Sequence, residues 1–393
     1  PSGDWDLATL ATPKEMRRIF RRTVPIGVEH GTIGVLAKDG TMYEVTTFRK
    51  DVETDGRHAV VSFAQTIEED LARRDFTINA IAWHALRETF CDPYGGAGDL
   101  EGRVLRTVGV ASERFREDYL RILRAFRFAG RFGLDVDPAT WEAAGALVEH
   151  LTKLSPERIR EELLKVLAQD AHPRRALDLY ADSGALGVLY PELEALRTGD
   201  AWASTLERVD RLPPGHPLLR LAGLLTDVSG DGAAAVLVRL RLSNAQTDAT
   251  GHLAGAEPLP DEDATDADVR RWLRRHGPTR LTPIARIQLA GVRGDPVRAA
   301  AVVDSWRRAR AIRRAGPPLE VGDLSIDGRD LMRLGLRPGP HFGVILDRLL
   351  DVVIDDPSRN DSGVLADEAL RIAEALGHTD EEDTQDTSGE APS

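Results

Sequence analysis

Four short stretches of this sequence hold residue types at spacings that could do chemistry. The first is Asp4-Trp5-Asp6-Leu7-Ala8-Thr9. In a strand, residues two apart point to one face, so Asp4 and Asp6 would present paired carboxylates. Hard oxygen donors of that kind suit Mg2+, which binds through one or two carboxylates plus phosphates. The second is Tyr43 to Arg49, where Glu44 could add a third carboxylate from a neighbouring strand. The third runs from Arg73 to Asn79. There Asp75 and Asn79 are four apart and would share a helix face, and with Arg74 they could hold ribose hydroxyls and phosphate. The fourth is Glu117-Asp118-Tyr119-Leu120-Arg121, followed by Arg124 and Arg127. Glu117, Arg121 and Arg124 fall at i, i+4 and i+7, and Asp118 and Arg121 at i and i+3, so on a helix all converge. An Asp accepts from an exocyclic amine, and an Arg donates to a ring nitrogen or carbonyl. Cytosine and adenine both offer an amine beside an acceptor nitrogen, a pattern that uracil and guanine reverse. One Asp/Arg pair could therefore accept C and A and reject U and G. Each stretch alone has an ordinary alternative: a surface turn, a solvent-facing strand residue, or helix ion pairs worth little.

The elements that must carry these residues change along the chain. Thr32 to Leu36 and Thr41 to Phe48 are β-prone runs separated by Lys38-Asp39-Gly40, which predicts a hairpin. Thr12-Pro13-Lys14-Glu15 predicts a capped helix over 12–22, and 66–85 reads as a helix with an acidic start. From about 104 the pattern turns helical. Tyr119, Leu123 and Phe126 recur at helical spacing, up to Gly130 and Gly133. Ser155-Pro156-Glu157 predicts a helix through Leu167. Breaks are expected at Pro213-Pro214-Gly215, around 257–268, and at Gly316-Pro317-Pro318. The acidic end after Gly377 is expected to be disordered.

The chain has 393 residues, enough for two to four domains, and its 42% apolar and 29% charged content is ordinary for a globular protein. Neither a membrane-spanning run nor a signal peptide is expected. Cys91 is the only cysteine, so no internal disulfide or multi-thiolate zinc site can form, and the cytoplasm is the expected compartment. The net charge is −13. Yet residues 103–131 hold eight Arg against three acids, and 270–314 hold thirteen Arg against two Asp. Such asymmetry hints at a polyanion-binding surface, with solvated helix faces as the alternative.

Taken together and in this order, the stretches resemble the bacterial class II tRNA nucleotidyltransferases, the CCA-adding enzymes, which share a family with bacterial poly(A) polymerases. Further matching stretches are His30-Gly31-Thr32, Asp55-Gly56-Arg57-His58, Glu68-Glu69-Asp70-Leu71, Asp92-Pro93-Tyr94-Gly95-Gly96 and Ser155-Pro156-Glu157-Arg158-Ile159. Asp327-Gly328-Arg329-Asp330-Leu331 and Gly339-Pro340 match the family's C-terminal segment. The resemblance implies an α+β N-terminal nucleotidyltransferase head, polymerase-β-like, followed by an all-α neck, body and tail. The head would cover 1–103, the neck 104–168, a degenerate HD-like body 169–315, a tRNA-binding tail 316–378 and an acidic end 379–393. It implies addition of CMP and AMP from CTP and ATP to the 3′ end of tRNA without a template. Asp4 and Asp6 would hold Mg2+, with Glu44 beside them. Arg74, Asp75 and Asn79 would contact the nucleotide and help couple head to neck. Asp118 and Arg121 would read the base, oriented by Glu117 and Arg124. Residues 49–65 resemble the flexible loop used in switching to A addition. Thr23-Val24-Pro25-Ile26-Gly27 stands where the poly(A) polymerases carry a basic-aromatic stretch, which favours tRNA.

The pattern departs from the family twice. The strand and Gly-Gly-x-Val-Arg-Asp loop that precede the Asp-x-Asp are missing, so the head is expected to be truncated, its first strand absent. Thr226 stands where an HD hydrolase has its His, so the body is expected to lack hydrolase activity. The rival readings are an A-adding tRNA enzyme, a poly(A) polymerase, and a non-catalytic RNA-binding protein.

Overall fold

A computed structural model describes residues 6–28, 31–54 and 59–377, with the backbone alone for 51–54 and 59–61. Asp4, the Asp55 to His58 stretch, His30 and the acidic end after Gly377 lie outside the described residues. The chain divides into two compact units, 1–254 and 255–393. That division falls inside the segment expected to form the body.

The first unit opens with strands β1 (Asp6–Thr9), β2 (Thr23–Gly27), β3 (Thr32–Leu36) and β4 (Met42–Thr47), and with helix α1 (Pro13–Ile19) between β1 and β2. The strands form one sheet in the order β1-β4-β3-β2. β1 runs parallel to β4, and β3 is antiparallel to β2 and β4. The β3–β4 turn closes as its Asp-Gly pair predicts: Gly40 takes a φ of 87°, and the Asp39 carboxylate accepts from the Thr41 N–H at 2.9 Å. α1 is capped by a reciprocal Thr12/Glu15 box but stops at Ile19, short of the expected 22. Its Met16 packs on Ile33, Val35 and Val45, so α1 covers the sheet face that carries the odd-numbered residues of β4.

A hairpin of β5 (Arg49–Thr54) and β6 (Ala59–Phe63) follows, then α2 (Ile67–Ala72). The helix expected over 66–85 ends here. Phe76 is extended, forms a bridge with Thr107, and its N–H donates to the Asp75 carboxylate at 2.9 Å. Thr77 N–H donates to Arg106 O at 2.9 Å, so this segment pairs across to residues 106–108 instead of coiling. A short hairpin, β7 (Ala82–His84) and β8 (Thr89–Cys91), and α3 (Gly96–Glu101) come next. Then β9 (Val104–Leu105) pairs with β10 (Asp135–Val136) around α4 (Ala111–Glu117) and α5 (Leu120–Phe132). α5 ends on Gly133 at φ 64°, as its sequence predicts.

Helices complete the unit: α6 (Pro138–Leu147), α7 (Pro156–Gln169), α8 (Arg174–Asp182), α9 (Ala185–Leu189), α10 (Pro191–Glu194), α11 (Ala201–Arg211), α12 (Pro217–Leu225), α13 (Gly230–Arg239) and α14 (Asn244–Ala254). Gly130 of α5 lies so close to α8 that a Cβ there would stand 2.6 Å from the Ala176 Cβ. Arg220 is fully buried and donates only to carbonyls, those of Leu167, Asp170, Ala171 and Leu212, gathering the ends of α7 and α11.

The second unit contains α15 (Asp266–His276), α16 (Leu281–Val292), α17 (Pro296–Arg314), α18 (Gly328–Arg333), α19 (His341–Asp355) and α20 (Ser362–Ala375). Ile345, Leu349 and Val353 of α19 pack with Leu365, Ala369 and Ala373 of α20 in its core. Among the described residues no helix is long and apolar enough to cross a membrane. An α+β head followed by helices throughout is the class the sequence implies.

Candidate nucleotide and metal site

The candidate residues all belong to the first unit. Asp6 of β1 and Glu44 of β4 are direct partners in the parallel register, so their side chains leave the same face. That face is opposite the one α1 covers, because Val45, the next residue along β4, points at Met16. Both carboxylates are exposed, and among the described residues neither makes a hydrogen bond or ion pair. Two hard oxygen donors side by side fit a divalent cation. Among the described residues no cluster of three His, Cys, Asp or Glu forms.

Asp70 ties the start of β5 to the α2 terminus. It is 1% exposed, and its Oδ1 accepts from the Arg49 N–H at 3.1 Å and from Arg73 Nη2 at 2.9 Å. Its Oδ2 accepts from Arg74 Nη2 at 3.3 Å. Arg73 Nε also donates to Arg49 O at 3.1 Å. Arg74 keeps a buried Nε with no acceptor among the described residues. Sequence reasoning assigned no role to Asp70 or Arg73.

Asp75 and Asn79 do meet, though not on a helix: Asn79 Nδ2 donates to Asp75 Oδ1 at 3.0 Å. The other Asp75 oxygen accepts from Arg124 at 2.8 Å (Nε) and 2.7 Å (Nη2). Burial works against the charged carboxylate. The Arg124 guanidinium, with hydrogen bonds from Asn79, Arg124 and Phe76 N–H, outweighs it and holds the Asp75 carboxyl below its ordinary value.

The fourth stretch is not one helix. Asp118 is extended (φ −156°, ψ 106°) and separates α4 from α5, and its Oδ1 accepts from the Leu120 N–H at 3.1 Å. A short acid whose side chain bonds the backbone two residues on breaks the helix there. Glu117 Oε2 grips Arg121 Nη1 at 2.5 Å and Arg114 Nη1 at 2.8 Å. Arg121 also donates to Arg73 O at 3.2 Å, which joins this stretch to the third. Arg124 turns away to Asp75 and does not orient Asp118. That place is taken by Arg158 of α7, whose Nη2 donates to Asp118 Oδ2 at 2.6 Å. Arg158 Nη1 is buried without an acceptor among the described residues. The sequence signal for Arg158 was its place in the Ser155 to Ile159 stretch. Arg127 is used further back, in a buried pair with Glu162 at 2.6 Å.

Most of the arginine excess is spent internally. Within 103–131, Arg106, Arg114, Arg121, Arg124 and Arg127 bond carboxylates and Arg131 bonds Gln169. Within 270–314, Arg271 and Arg274 pair with Asp355, Asp347 and Asp351 of α19, and Arg308 pairs with Asp266. Among the described residues, the side chains of Arg286, Arg293, Arg298 and Arg314 have no such partner. Asp227, next to Thr226, accepts from Thr205 at 2.9 Å and pairs with Arg208 at 2.8 Å.

Two family models match this chain: "Poly A polymerase head domain" over residues 1–106, and "Probable RNA and SrmB-binding site of polymerase A" over 133–196. A CCA-adding enzyme of Lactobacillus delbrueckii subsp. bulgaricus is 33% identical, across 93% of this chain and 89% of its own. One from Streptococcus pneumoniae is 35% identical, across 92% and 86%. The crystal structure of the Bacillus stearothermophilus CCA-adding enzyme in complex with CTP superposes with a TM-score of 0.77 at 30% identity, covering 96% of this chain and 90% of that one.

Proposed function

The chain belongs to the CCA-adding enzymes, and from that premise we propose that it adds CMP and AMP, taken from CTP and ATP, to the 3′ end of tRNA. The observation that carries the reading is the pinning of Asp118 by Arg158 and of Arg121 by Glu117. Each keeps polar capacity to spare. A carboxylate has about four lone-pair sites, of which Asp118 uses two, and a guanidinium has five donors. Held rigidly, they offer an acceptor and donors to the edge of C or A. U and G present the wrong order to the same pair.

Arg74 is linked through Asp70 and Arg73 to Arg121, Asp75 and Asn79 are held with Arg124, and the unspent donor of Arg74 suits a ligand rich in acceptors, such as a triphosphate or ribose. Arg124 keeps the Asp75 carboxylate charged and in place. In the reaction, the tRNA 3′-hydroxyl oxygen bonds to the α-phosphorus in line, the bond to the β-phosphate oxygen breaks, and pyrophosphate leaves. The family uses a divalent metal. We assign Mg2+ to Asp4 and Asp6, with Glu44 as a third carboxylate, where it would activate the attacking oxygen and neutralise the leaving group.

We divide the chain into head 1–103, neck 104–168, body 169–315, tail 316–378 and acidic end 379–393. Arg286, Arg293, Arg298 and Arg314, unpaired among the described residues, are cations of the second unit suited to tRNA phosphates. We place the reaction in the cytoplasm. Incorporation into a tRNA transcript lacking CCA, with Mg2+ and with CTP, ATP or both, tests the proposal. Addition of C, C and then A is expected. Addition of A alone, to transcripts already ending in CC, would replace it with an A-adding enzyme, and no incorporation would favour an RNA-binding protein.

A further inference from the structure

A dense run of charge, unpaired among the described residues, lies on α1, outside the groups assigned so far. Lys14, Arg17, Arg18, Arg21 and Arg22 crowd α1 and the bend after it, with Glu15 the single acid among them. All five are exposed, and among the described residues none of their side chains makes a hydrogen bond or ion pair. Glu15 is already taken, accepting from Thr12 N–H at 2.8 Å and Thr12 Oγ1 at 2.9 Å. Arg18 reaches it only as a through-space charge. This contrasts with 103–131 and 270–314, where most guanidinium groups bond a carboxylate, carbonyl or amide oxygen of the protein itself.

Helix stability does not account for the cluster. Arg17 and Arg18 sit in the last turn, where a cation favours the helix dipole by a few tenths of a kcal/mol to about 1. Lys14 sits in the first turn, where the sign is wrong, and Arg21 and Arg22 lie beyond the helix. Five like charges within nine residues repel one another, so an anion is what the patch fits. Ile19 (67% exposed) and Phe20 (40%) stand among the cations and offer apolar surface to a sugar or base.

Its location excludes the reacting triphosphate as that anion. α1 covers one sheet face and Asp6 and Glu44 leave the other. A bilayer is disfavoured too: α1 has seven residues, and its buried side chains, Pro13 and Met16, are already spent on the fold. RNA backbone brings one charge per nucleotide at regular spacing, which suits cations spread along a helix turn and the bend beyond it. We propose that this surface is a second, sequence-independent contact for the phosphate backbone of the tRNA, away from its reacting 3′ end. The inference rests on the tRNA reading above.

The test uses the full chain with four substitutions, Arg17→Ala, Arg18→Ala, Arg21→Ala and Arg22→Ala, and a parallel chain with Lys at the same positions. The readouts are kcat and KM for a tRNA transcript lacking CCA, and tRNA affinity across a salt series. Each phosphate left unneutralised lowers the log–log salt slope by about 0.7–0.9. With three or four phosphates no longer engaged, the Ala chain should show a slope shallower by about 2–3.5 and a KM for tRNA at least about tenfold higher near 0.15 M salt. Its kcat at saturating tRNA should be unchanged, which also reports an intact fold. The Lys chain keeps the charge and should keep the slope. An unchanged KM and slope in the Ala chain would overturn the inference. So would loss of binding to phosphatidylserine vesicles with tRNA binding intact. If the unsubstituted chain adds neither C nor A, the functional reading falls first; if it adds both and the Ala chain matches it, only this inference falls.

Discussion

Replacing Arg158 by Ala should loosen base selection without touching any group that bonds the reacting phosphate. The guanidinium holds Asp118 Oδ2 at 2.6 Å, and the two side chains are 29% and 26% exposed. A hydrogen bond to a charged group is worth about 1.5–3 kcal/mol, whereas an exposed ion pair is worth about 0–1. This pair is intermediate, so roughly 1–2 kcal/mol of positioning should be lost. At 1.4 kcal/mol per factor of ten, kcat/KM for CTP and ATP should fall about 5–30-fold. Asp118 keeps only the Leu120 N–H, which fixes one oxygen and leaves the carboxylate free to turn. Discrimination against UTP should therefore narrow by a similar factor. The assay is single-turnover incorporation of each nucleotide into a transcript lacking CCA, with Asp118→Ala run beside it to set the upper limit. Arg158→Lys should recover part of the loss, because an ammonium restores the charge without the fork. If Arg158→Ala lowers the melting temperature yet discriminates CTP from UTP as well as the unsubstituted chain, Arg158 is only a strut and the argument fails.

Three further outcomes are expected. Asp6→Asn should abolish turnover while tRNA affinity stays within about twofold; residual normal turnover would remove Asp6 from the metal site. Arg124→Ala strands the buried Asp75 carboxylate. Breaking a buried pair costs about 3–5 kcal/mol, and with Arg124 31% exposed, roughly 2–4 is expected near neutral pH. Because Asp75 is held below its ordinary value, its stabilisation is present above the ordinary carboxylate range and is lost as pH falls through the lowered value. The urea-unfolding gap between the two chains should thus narrow in acid, and a gap independent of pH would contradict the pairing. Asp170 behaves in the opposite sense: burial, against the pull of Arg131, Arg127 and Arg220, pushes it up to about 6, and neither oxygen has a hydrogen-bond partner among the described residues. Its contribution is full below the ordinary carboxylate value and is lost as pH rises through about 6. Asp170→Asn should stabilise by roughly 1–3 kcal/mol at pH 8 and by nothing near pH 4. An equal effect at both values would refute that account.

What the sequence disclosed was local. The Asp39-Gly40 turn, the Thr12/Glu15 box, the Gly133 stop and the helix opened by Pro156 all depend on residues within a turn of one another. Glu117 and Arg121 belong with them, as an i, i+4 pair that the structure closes. The partners of Asp118 and Asp75 stand 40 and 49 residues away, and no spacing rule reaches that far. Two helix readings erred for one reason: an Asp side chain bonded a nearby backbone N–H, at Phe76 in one case and Leu120 in the other, and the backbone left the helix. Charge counts are partial for the same reason as spacing rules. A count along the chain cannot see that α15 lies against the acids of α19, or that the five cations at α1 make no ion pair among the described residues.

The alternation along β4 has a consequence for how such a protein can vary in length. Val45 faces Met16 while Glu44 faces away, and both Asp6 and Gly34 are set against Glu44 in register. One inserted or deleted residue inside β4 would exchange the two faces, turning a carboxylate into the apolar layer and a valine out beside Asp6. Substitution can proceed one position at a time here, but a change of length cannot. Gains and losses of residues in this lineage should therefore gather at the Ala37–Thr41 turn, where Gly40 has open space around it, and leave the strand's length alone.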